Sequence, residues 1–443
     1  MSEAALPASP IRGSSPAAAA HVSHPAQGKG KQSQFRLIAA CSLGNALEMY
    51  DFTVYSFFAL LIGKLFFPSD SPYGSLLLAV ATFGIGFVMR PLGGVIIGNY
   101  ADRKGRKAAM TLTIGLMVLG TLCIAFAPSY ASAGVFGSLM ILAGRLLQGF
   151  SLGGEVGAAT SMLMEAGGVK GRGSRVSWQL ASQGVSALLG ALTGAVLYAA
   201  LPQASLESWG WRLPFLLGLL IAPVGLYIRA HLEETHVAES HESSPIGRLL
   251  RNHGGTVLKG ILATTAGTAT MYLVVFFMPT YMIRVLHMPP SLSLLSGCVT
   301  GITLFVVSLV AGRLADRLPN RKPLVIGSLL FSVIAVGPVF WLISHYPSVP
   351  LVLCLSALLT ASLNIGTTPM FLMLLEMLPA GVRASGISVI YSVGVTVFGG
   401  SSQFIVTWLL AKTDNPMSPA FYMMACGVLS LCALLSLRER KAD

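Results

Sequence analysis

The sequence predicts an all-α membrane protein of twelve transmembrane helices arranged as two pseudo-symmetric six-helix bundles, and three observations carry that prediction. Apolar stretches near the roughly 20 residues needed to cross about 30 Å of hydrocarbon recur twelve times. A loop is duplicated: Gly98-Asn99-Tyr100-Ala101-Asp102-Arg103-Lys104-Gly105-Arg106-Lys107 and Gly312-Arg313-Leu314-Ala315-Asp316-Arg317-Leu318-Pro319-Asn320-Arg321-Lys322 stand 214 positions apart, each between long apolar runs. Glu165 precedes Arg172 by seven residues as Glu376 precedes Arg383, at an offset of 211. Finally, 54% hydrophobic and 10% charged residues with a mean hydropathy of +0.72 exclude the soluble globular class. Parallel repeats of this kind build carriers that rock one half against the other around a central site, so the duplication points to transport.

Residues 1–34 are rich in Ala, Pro, Ser and Gly and read as a disordered tail. The first span, 37–64, is too long for a signal-peptide core and carries Glu48 and Asp51, so it stays in the mature chain. Spans 74–99 and 108–127 flank the first loop motif, and 134–164, 176–200 and 211–230 complete an N-terminal bundle over 35–230. The polar interval 231–255, with Glu233, Glu234, Glu239 and Glu242 beside Arg248 and Arg251, reads as a surface linker. Spans 256–284, 292–312, 323–344, 349–375, 384–411 and 417–436 form a C-terminal bundle over 256–437, followed by a short tail, 438–443. Runs this long satisfy their backbone in lipid only as helices; barrel strands would alternate and be half as long.

The net charge of +12 is topological. Of 29 Lys and Arg, 23 fall in the N-terminal tail, the even-to-odd loops and the C-terminal tail. Lys64, Arg212, Arg284 and Lys412 fall on the other side, while Arg90 and Arg145 lie within spans. That asymmetry places both termini in the cytoplasm of a cell inner (plasma) membrane and argues against nucleic acid as a partner. Cys41, Cys123, Cys298, Cys354, Cys426 and Cys432 sit inside spans without metal-ligand spacing, so no metal, cofactor or disulfide framework is expected. Phosphate-loop, H-E-x-x-H and G-x-S-x-G motifs are missing, so the chain does not read as an enzyme or an ATP-driven pump. The expected partners are a small-molecule substrate, protons and the lipid bilayer, with no obligate protein partner evident.

Each ionisable residue at a helix centre costs about 2.5–3.5 kcal/mol on the insertion scale, so these residues are where chemistry is sought. Asn45, Glu48, Asp51 and Tyr55 share one face of the first span, and Arg145, Gln148, Leu152 and Glu155 share one face of the fourth. Arg90, eight residues before Gly98, lies about 12 Å in, and Glu155, ten before Glu165, about 15 Å in, a depth that lets them pair. Asp51 and Arg145 match in the same way nearer the other surface. Two readings stay open: structural ion pairs locking the N-terminal half, or a carboxylate that takes and releases a proton as a pair breaks.

The loop Gly98 to Lys107 fits the G-x-x-x-D-[RK]-x-G-R-[RK] signature of the major facilitator superfamily, and Arg145-Leu146-Leu147-Gln148-Gly149 resembles its helix-4 arginine motif. Gly44 to Phe52, Phe87-Val88-Met89-Arg90-Pro91-Leu92-Gly93-Gly94 and Gln148 to Glu155 resemble the metabolite:proton symporter family over residues 36–437. Trp178 to Gln183, Trp209 to Phe215 and Tyr391 to Gly400 resemble its citrate and tricarballylate branch. The resemblance implies the major facilitator fold and proton-coupled uptake of a small organic acid or zwitterion, with the coupling site near Asp51 and Arg145; the other interior charges, Glu48, Glu155 and Arg90, complete the coupling set. Uptake of shikimate, a dicarboxylate, proline or betaine, and export by proton antiport, stay open because the same gating residues serve each.

Asp102, just after the second span, is placed to accept from a helix N-terminus of the other half, and Arg106 to pair with Glu165. The gating set is therefore Gly98, Asp102, Arg103, Gly105, Arg106, Glu165 and Arg172, with Asp316, Arg321, Glu376 and Arg383 as counterparts. Substrate contacts are sought among the buried polar positions Asn45, Tyr55, Gln148, Gln179, Gln183, Tyr272, Asn364 and Tyr391, some of which serve as ordinary interhelical hydrogen bonds. If Glu155 and Asp51 neutralise both interior arginines, little positive charge remains for a trianion, and a partly protonated acid or a zwitterion fits better.

Overall fold

The computed structural model describes residues 31–104, 106–168, 170–220, 223 and 245–437. The tail to residue 30, linker residues 231–244, Gly105 and 438–443 lie outside the described residues. So do the side chains of Asp102, Arg103, Arg106 and Glu155, and Gly98 is placed as helix backbone alone.

Among the described residues all regular structure is helical. The first span, α1, is Lys31–Phe57 followed by Ala59–Phe66, bent by 65° at the break. Next come α2 (Gly74–Lys104) and α3 (Arg106–Ala125). Span α4 runs Val135–Ser151, a 3-10 turn Leu152–Gly154, then Glu155–Glu165. It is followed by α5 (Arg172–Ala200) and by α6, which opens with Leu213–Gly218 and passes out of the described residues after Leu220. In the second half α7 runs Pro245–Thr270, a π turn Met271–Phe277, then Met278–Arg284. Helices α8 (Leu295–Arg317), α9 (Lys322–His345) and α10 (Val349–Met377) follow. Span α11 is Ala380–Gly394, a π turn Val395–Gly400 and Ser402–Thr413; α12 is Ser418–Ser436.

Three features differ from the sequence expectation. Helix α1 reaches back to Lys31, and α7 starts at Pro245, so residues 245–255 are helix rather than connector. The long fourth span is broken at Leu152–Gly154, where two consecutive glycines weaken helical preference. The interruptions in α1 and α7 are related by the repeat: Phe57 displaced by 214 positions is Met271, where the π turn begins. Both halves thus loosen their first helix at the same level, and the π turn runs directly into Pro279, which has no N–H to offer a preceding carbonyl.

The halves meet along two helix pairs. In the α5/α8 contact a Cβ added at Gly184 would stand 2.5 Å from the Gly301 carbonyl oxygen, so only bare backbone permits this approach. In the α2/α11 contact Pro91 cannot donate to the carbonyl of Phe87 four residues back, and Thr396 Oγ1 of α11 donates to it at 2.8 Å. An aromatic cluster fills the seam between them, with Phe52, Phe83 and Phe87 against Tyr272 and Phe276; the Phe87–Tyr272 centroids are 5.3 Å apart. At the face away from the loop motifs, Arg284 of α7 donates to the Pro72 carbonyl and lies over the Tyr73 ring, beside a cavity of about 320 Å³.

Candidate functional site: buried arginines and a carboxylate at the seam

Glycines set the depth at which the interior charges meet. A Cβ at Gly149 of α4 would sit 1.7 Å from the Gly86 carbonyl oxygen, and one at Gly153 2.0 Å from that of Arg90. The α2 and α4 backbones therefore touch on either side of Arg90, and its side chain is carried to the wall of the seam.

Arg90 is 1% exposed, and among the described residues its Nε, Nη1 and Nη2 make no hydrogen bond of good geometry, although the Tyr272 hydroxyl stands close enough to interact with the guanidinium. Its guanidinium carbon lies 4.3 Å from the Phe87 centroid and 5.3 Å from that of Phe52, and Tyr272 of the other half adjoins it. Arg145 is fully buried, 3.9 Å from the Tyr55 centroid and 5.2 Å from that of Phe52. Its Nη2 donates to the Asp51 backbone carbonyl at 3.3 Å, while Nε and Nη1 have no partner. Two buried cations thus flank one ring with most donors unused. Ring faces stabilise a cation by about 2 kcal/mol when desolvated, well below the several kcal/mol that removing an ion from water costs.

This geometry changes one expected pairing: Arg145 binds the Asp51 backbone, not its carboxylate, while the expected Arg90–Glu155 pair lies outside the described side chains. Depth was compatible with both pairs, but helix rotation was not visible in it. The Asp51 carboxylate, 1% exposed, instead accepts at Oδ2 from Thr121 Oγ1 of α3 and from Gln148 Nε2 at 3.0 Å. Its Oδ1 has no partner, and Gly218 of α6 packs so close that a Cβ there would stand 2.0 Å away. Gln148 therefore belongs to the Asp51 shell. Thr121 is absent from the sequence set; a lone threonine in an apolar span gives no signal that separates it from one bonded to its own helix. Glu48 is buried on α1.

Of the remaining polar positions, Asn45 Nδ2 donates to Ser182 Oγ at 2.7 Å and to the Gln179 carbonyl at 3.2 Å, tying α1 to α5. Gln183 Nε2 reaches the Tyr391 hydroxyl of α11 at 3.3 Å, and Tyr55 donates to the Ala79 carbonyl at 3.1 Å. Asn364 donates to the Thr360 carbonyl of its own helix at 2.8 Å. Gln403 of α11, which the sequence reading passed over, donates to Ser56 Oγ at 2.8 Å across the seam while its Oε1 has no partner.

At the loop-motif face the halves are joined by charge. Asp316, at the end of α8, accepts from Gly173 N at 2.7 Å and from Ser174 N and Oγ at 2.9 and 2.6 Å, capping the N-terminus of α5 in the other half. Arg383 pairs with Glu165 at 2.9 Å and Arg172 with Glu376 at 3.8 Å, both across the halves; Arg321 holds Glu376 at 2.5 Å within its own half.

Two six-helix halves joined by ion pairs at one face, with buried cations at their seam, define a multi-pass membrane carrier. The family model for the Major Facilitator Superfamily matches residues 41–401, and the chain belongs to that superfamily. It is 36% identical to a citrate-proton symporter of Klebsiella pneumoniae over 88% of this chain and 89% of that one. It is 31% identical to a proline/betaine transporter of Escherichia coli K12 over 91% of this chain and 83% of that one. Among solved structures it resembles the xylose transporter XylE from E. coli in a partially occluded inward-open conformation, with a TM-score of 0.71 and 17% identity over 93% of this chain and 99% of that one.

Proposed function

We propose that this chain imports a small organic acid of the citrate class with protons, by alternating access, in a cell inner membrane with both termini cytoplasmic. The observation that carries the proposal is Arg90, a buried guanidinium at the seam of the two halves whose nitrogens find no well-aligned hydrogen-bond acceptor among the described residues. Its planar fork suits a carboxylate, and Arg145 on the far side of Phe52 gives a polycarboxylate a second cation to bridge to. The likeness to a citrate-proton symporter supports the same substrate class. Tyr272 and Gln403 supply neutral contacts from the second half.

Asp51 is the proton carrier in this scheme. In its ionised form it holds the Thr121 and Gln148 donors and attracts the nearby Arg145 by charge; protonation removes that attraction and leaves Arg145 tied only through the Asp51 backbone carbonyl, so that it turns toward substrate more readily. The Asp316 cap and the Glu165–Arg383 and Glu376–Arg172 pairs hold the cytoplasmic face closed, and their release opens it. A proton crossing about 150 mV supplies about 3.5 kcal/mol, enough for roughly 300-fold accumulation of a neutral solute.

Radiolabelled citrate uptake into proteoliposomes with an acid-outside gradient tests this, with unlabelled tricarballylate, succinate, shikimate, proline and betaine as competitors. Uptake that a protonophore collapses and tricarballylate blocks supports the proposal. Absence of citrate uptake, with proline or betaine accumulated instead, replaces the tricarboxylate with a zwitterion.

A further inference from the structure

We propose that Thr121 is a positioning residue that lets Asp51 gain and lose its proton in place, by reversing one hydrogen bond between the two side chains. The inference rests on Asp51 as the coupling carboxylate.

The donors do not suffice for every contact seen at once. Thr121 Oγ1 contacts Asp51 Oδ2, the Met117 carbonyl at 3.0 Å and Gln148 Nε2 at 2.9 Å. A hydroxyl has one proton to give and two lone pairs to receive with. Gln148 Nε2 has two protons, one for Thr121 Oγ1 and one for Asp51 Oδ2. The Thr121 proton therefore goes either to Asp51 or to Met117, never to both.

Those two choices match the two states of the carboxyl. When Asp51 is ionised, Thr121 donates to Oδ2. When a proton binds Oδ2, Asp51 becomes the donor to Thr121 Oγ1, and the Thr121 hydroxyl turns to the Met117 carbonyl one helical turn back. Gln148 keeps both of its bonds throughout. No hydrogen bond is lost in the transfer: the protonated set keeps the Asp51–Thr121 bond in reverse and adds one from Thr121 to the Met117 carbonyl, and the exchange requires no heavy atom of the pair to move. Valine at 121 would offer neither the donor nor the acceptor; serine would offer both.

The surroundings leave this pair to govern the site. Facing Asp51 are Arg145 from α4, through the backbone carbonyl, and Tyr50 beside it on α1, with Glu48 a turn earlier. Helices α3 and α6 present Thr121 and Gly218 to the carboxylate, neither of them ionisable.

The test uses the full-length protein in proteoliposomes, as wild type and as Thr121→Val, Thr121→Ser and Asp51→Asn. Infrared difference spectra recorded across pH first ask whether a protonated-carboxyl band depends on Asp51. If no such band exists in the wild type, the coupling role of Asp51 fails, and this inference with it. Given the band, Thr121→Val is expected to lower the external proton concentration for half-maximal uptake about tenfold, equivalent to one charge-assisted hydrogen bond. It should also shift the frequency of the band, and Thr121→Ser should restore both. An unchanged proton dependence in Thr121→Val overturns the inference, as does a serine variant that behaves like valine, since that would reduce Thr121 to packing.

Discussion

The two halves of this molecule share a chain path but not a chemistry. In the first, α1, α2 and α4 carry Glu48, Asp51, Arg90 and Arg145 into the bilayer; in the second, residues 285–312, 323–344, 349–375 and 384–411 contain no Asp, Glu, Lys or Arg. The second half instead offers Tyr272, Gln403, Thr396 and Tyr391 at the seam, and it supplies Asp316, whose cross-half cap is fully described. Duplication preserved an interruption in the first helix of each half, at Phe57 and Met271, while the deeply buried carboxylates and arginines stayed in the first half. Under the proposed function this difference is a division of labour: one half would hold the proton and charge, and the other would close over the substrate with neutral contacts.

The largest expected effect follows from removing the charge of the first half. Asp51→Asn should reduce proton-driven accumulation from hundreds-fold to about unity while exchange at equal concentrations persists, whereas Gln403→Leu in the second half should weaken affinity and leave coupling intact. Accumulation by Asp51→Asn at the wild-type level would erase the distinction. Next in size, Arg90→Gln removes a charge-assisted contact of about 1.5–3 kcal/mol and should raise KM for citrate about 10- to 100-fold with a smaller change in kcat. An unaltered KM would move the substrate away from Arg90.

Smaller effects sharpen the same contrast at the gates. Asp316→Ala strips the α5 cap of its acceptor and should favour the open cytoplasmic face by about 1–2 kcal/mol, read as a wider spin-label distance between the ends of α5 and α8. Distances that stay as in the wild type would assign the closure to the flanking ion pairs. Thr396→Val leaves the Phe87 carbonyl without a donor and should lower thermal stability by about 1 kcal/mol, with Thr396→Ser recovering it.

The smallest effect lies at the face away from the loop motifs. A hydrogen bond from Lys64 at 2.5 Å, then one from Gln203, hold the Glu207 carboxyl below the ordinary range. A depressed carboxylate contributes stability above its unfolded value, near pH 4, and loses it as pH falls through the folded one. With the Lys64 side chain 63% exposed, the gain is at most about 0.5 kcal/mol. Glu207→Gln should therefore be slightly less stable than wild type at pH 7, with the difference fading as acid protonates the carboxylate in the folded protein.

Much of this architecture was legible in the residues. Apolar length fixed the spans, the repeated Gly-x-x-x-Asp loops fixed the two halves, and three-and-four spacing placed Asp51 and Gln148 on helix faces that do meet. What was not legible is rotation. Arg145 stands at a depth that suits the Asp51 carboxylate, yet its guanidinium lies on the Tyr55 ring and bonds the Asp51 backbone instead. Pro91 signals an orphaned carbonyl at Phe87, but its donor, Thr396, comes from the other half and is beyond any local pattern. Thr121 is hidden for the same reason: its importance exists only once α3 is packed against α1 and α4.

The central claim is that the proton and the substrate are held by different elements of one seam. The direct measurement is citrate-driven proton entry, followed with a pH-sensitive dye trapped inside proteoliposomes, in the wild type and in Asp51→Asn, beside citrate exchange in the same vesicles. The account predicts internal acidification by the wild type and none by Asp51→Asn, with exchange retained in both. Acidification by Asp51→Asn equal to that of the wild type would contradict it.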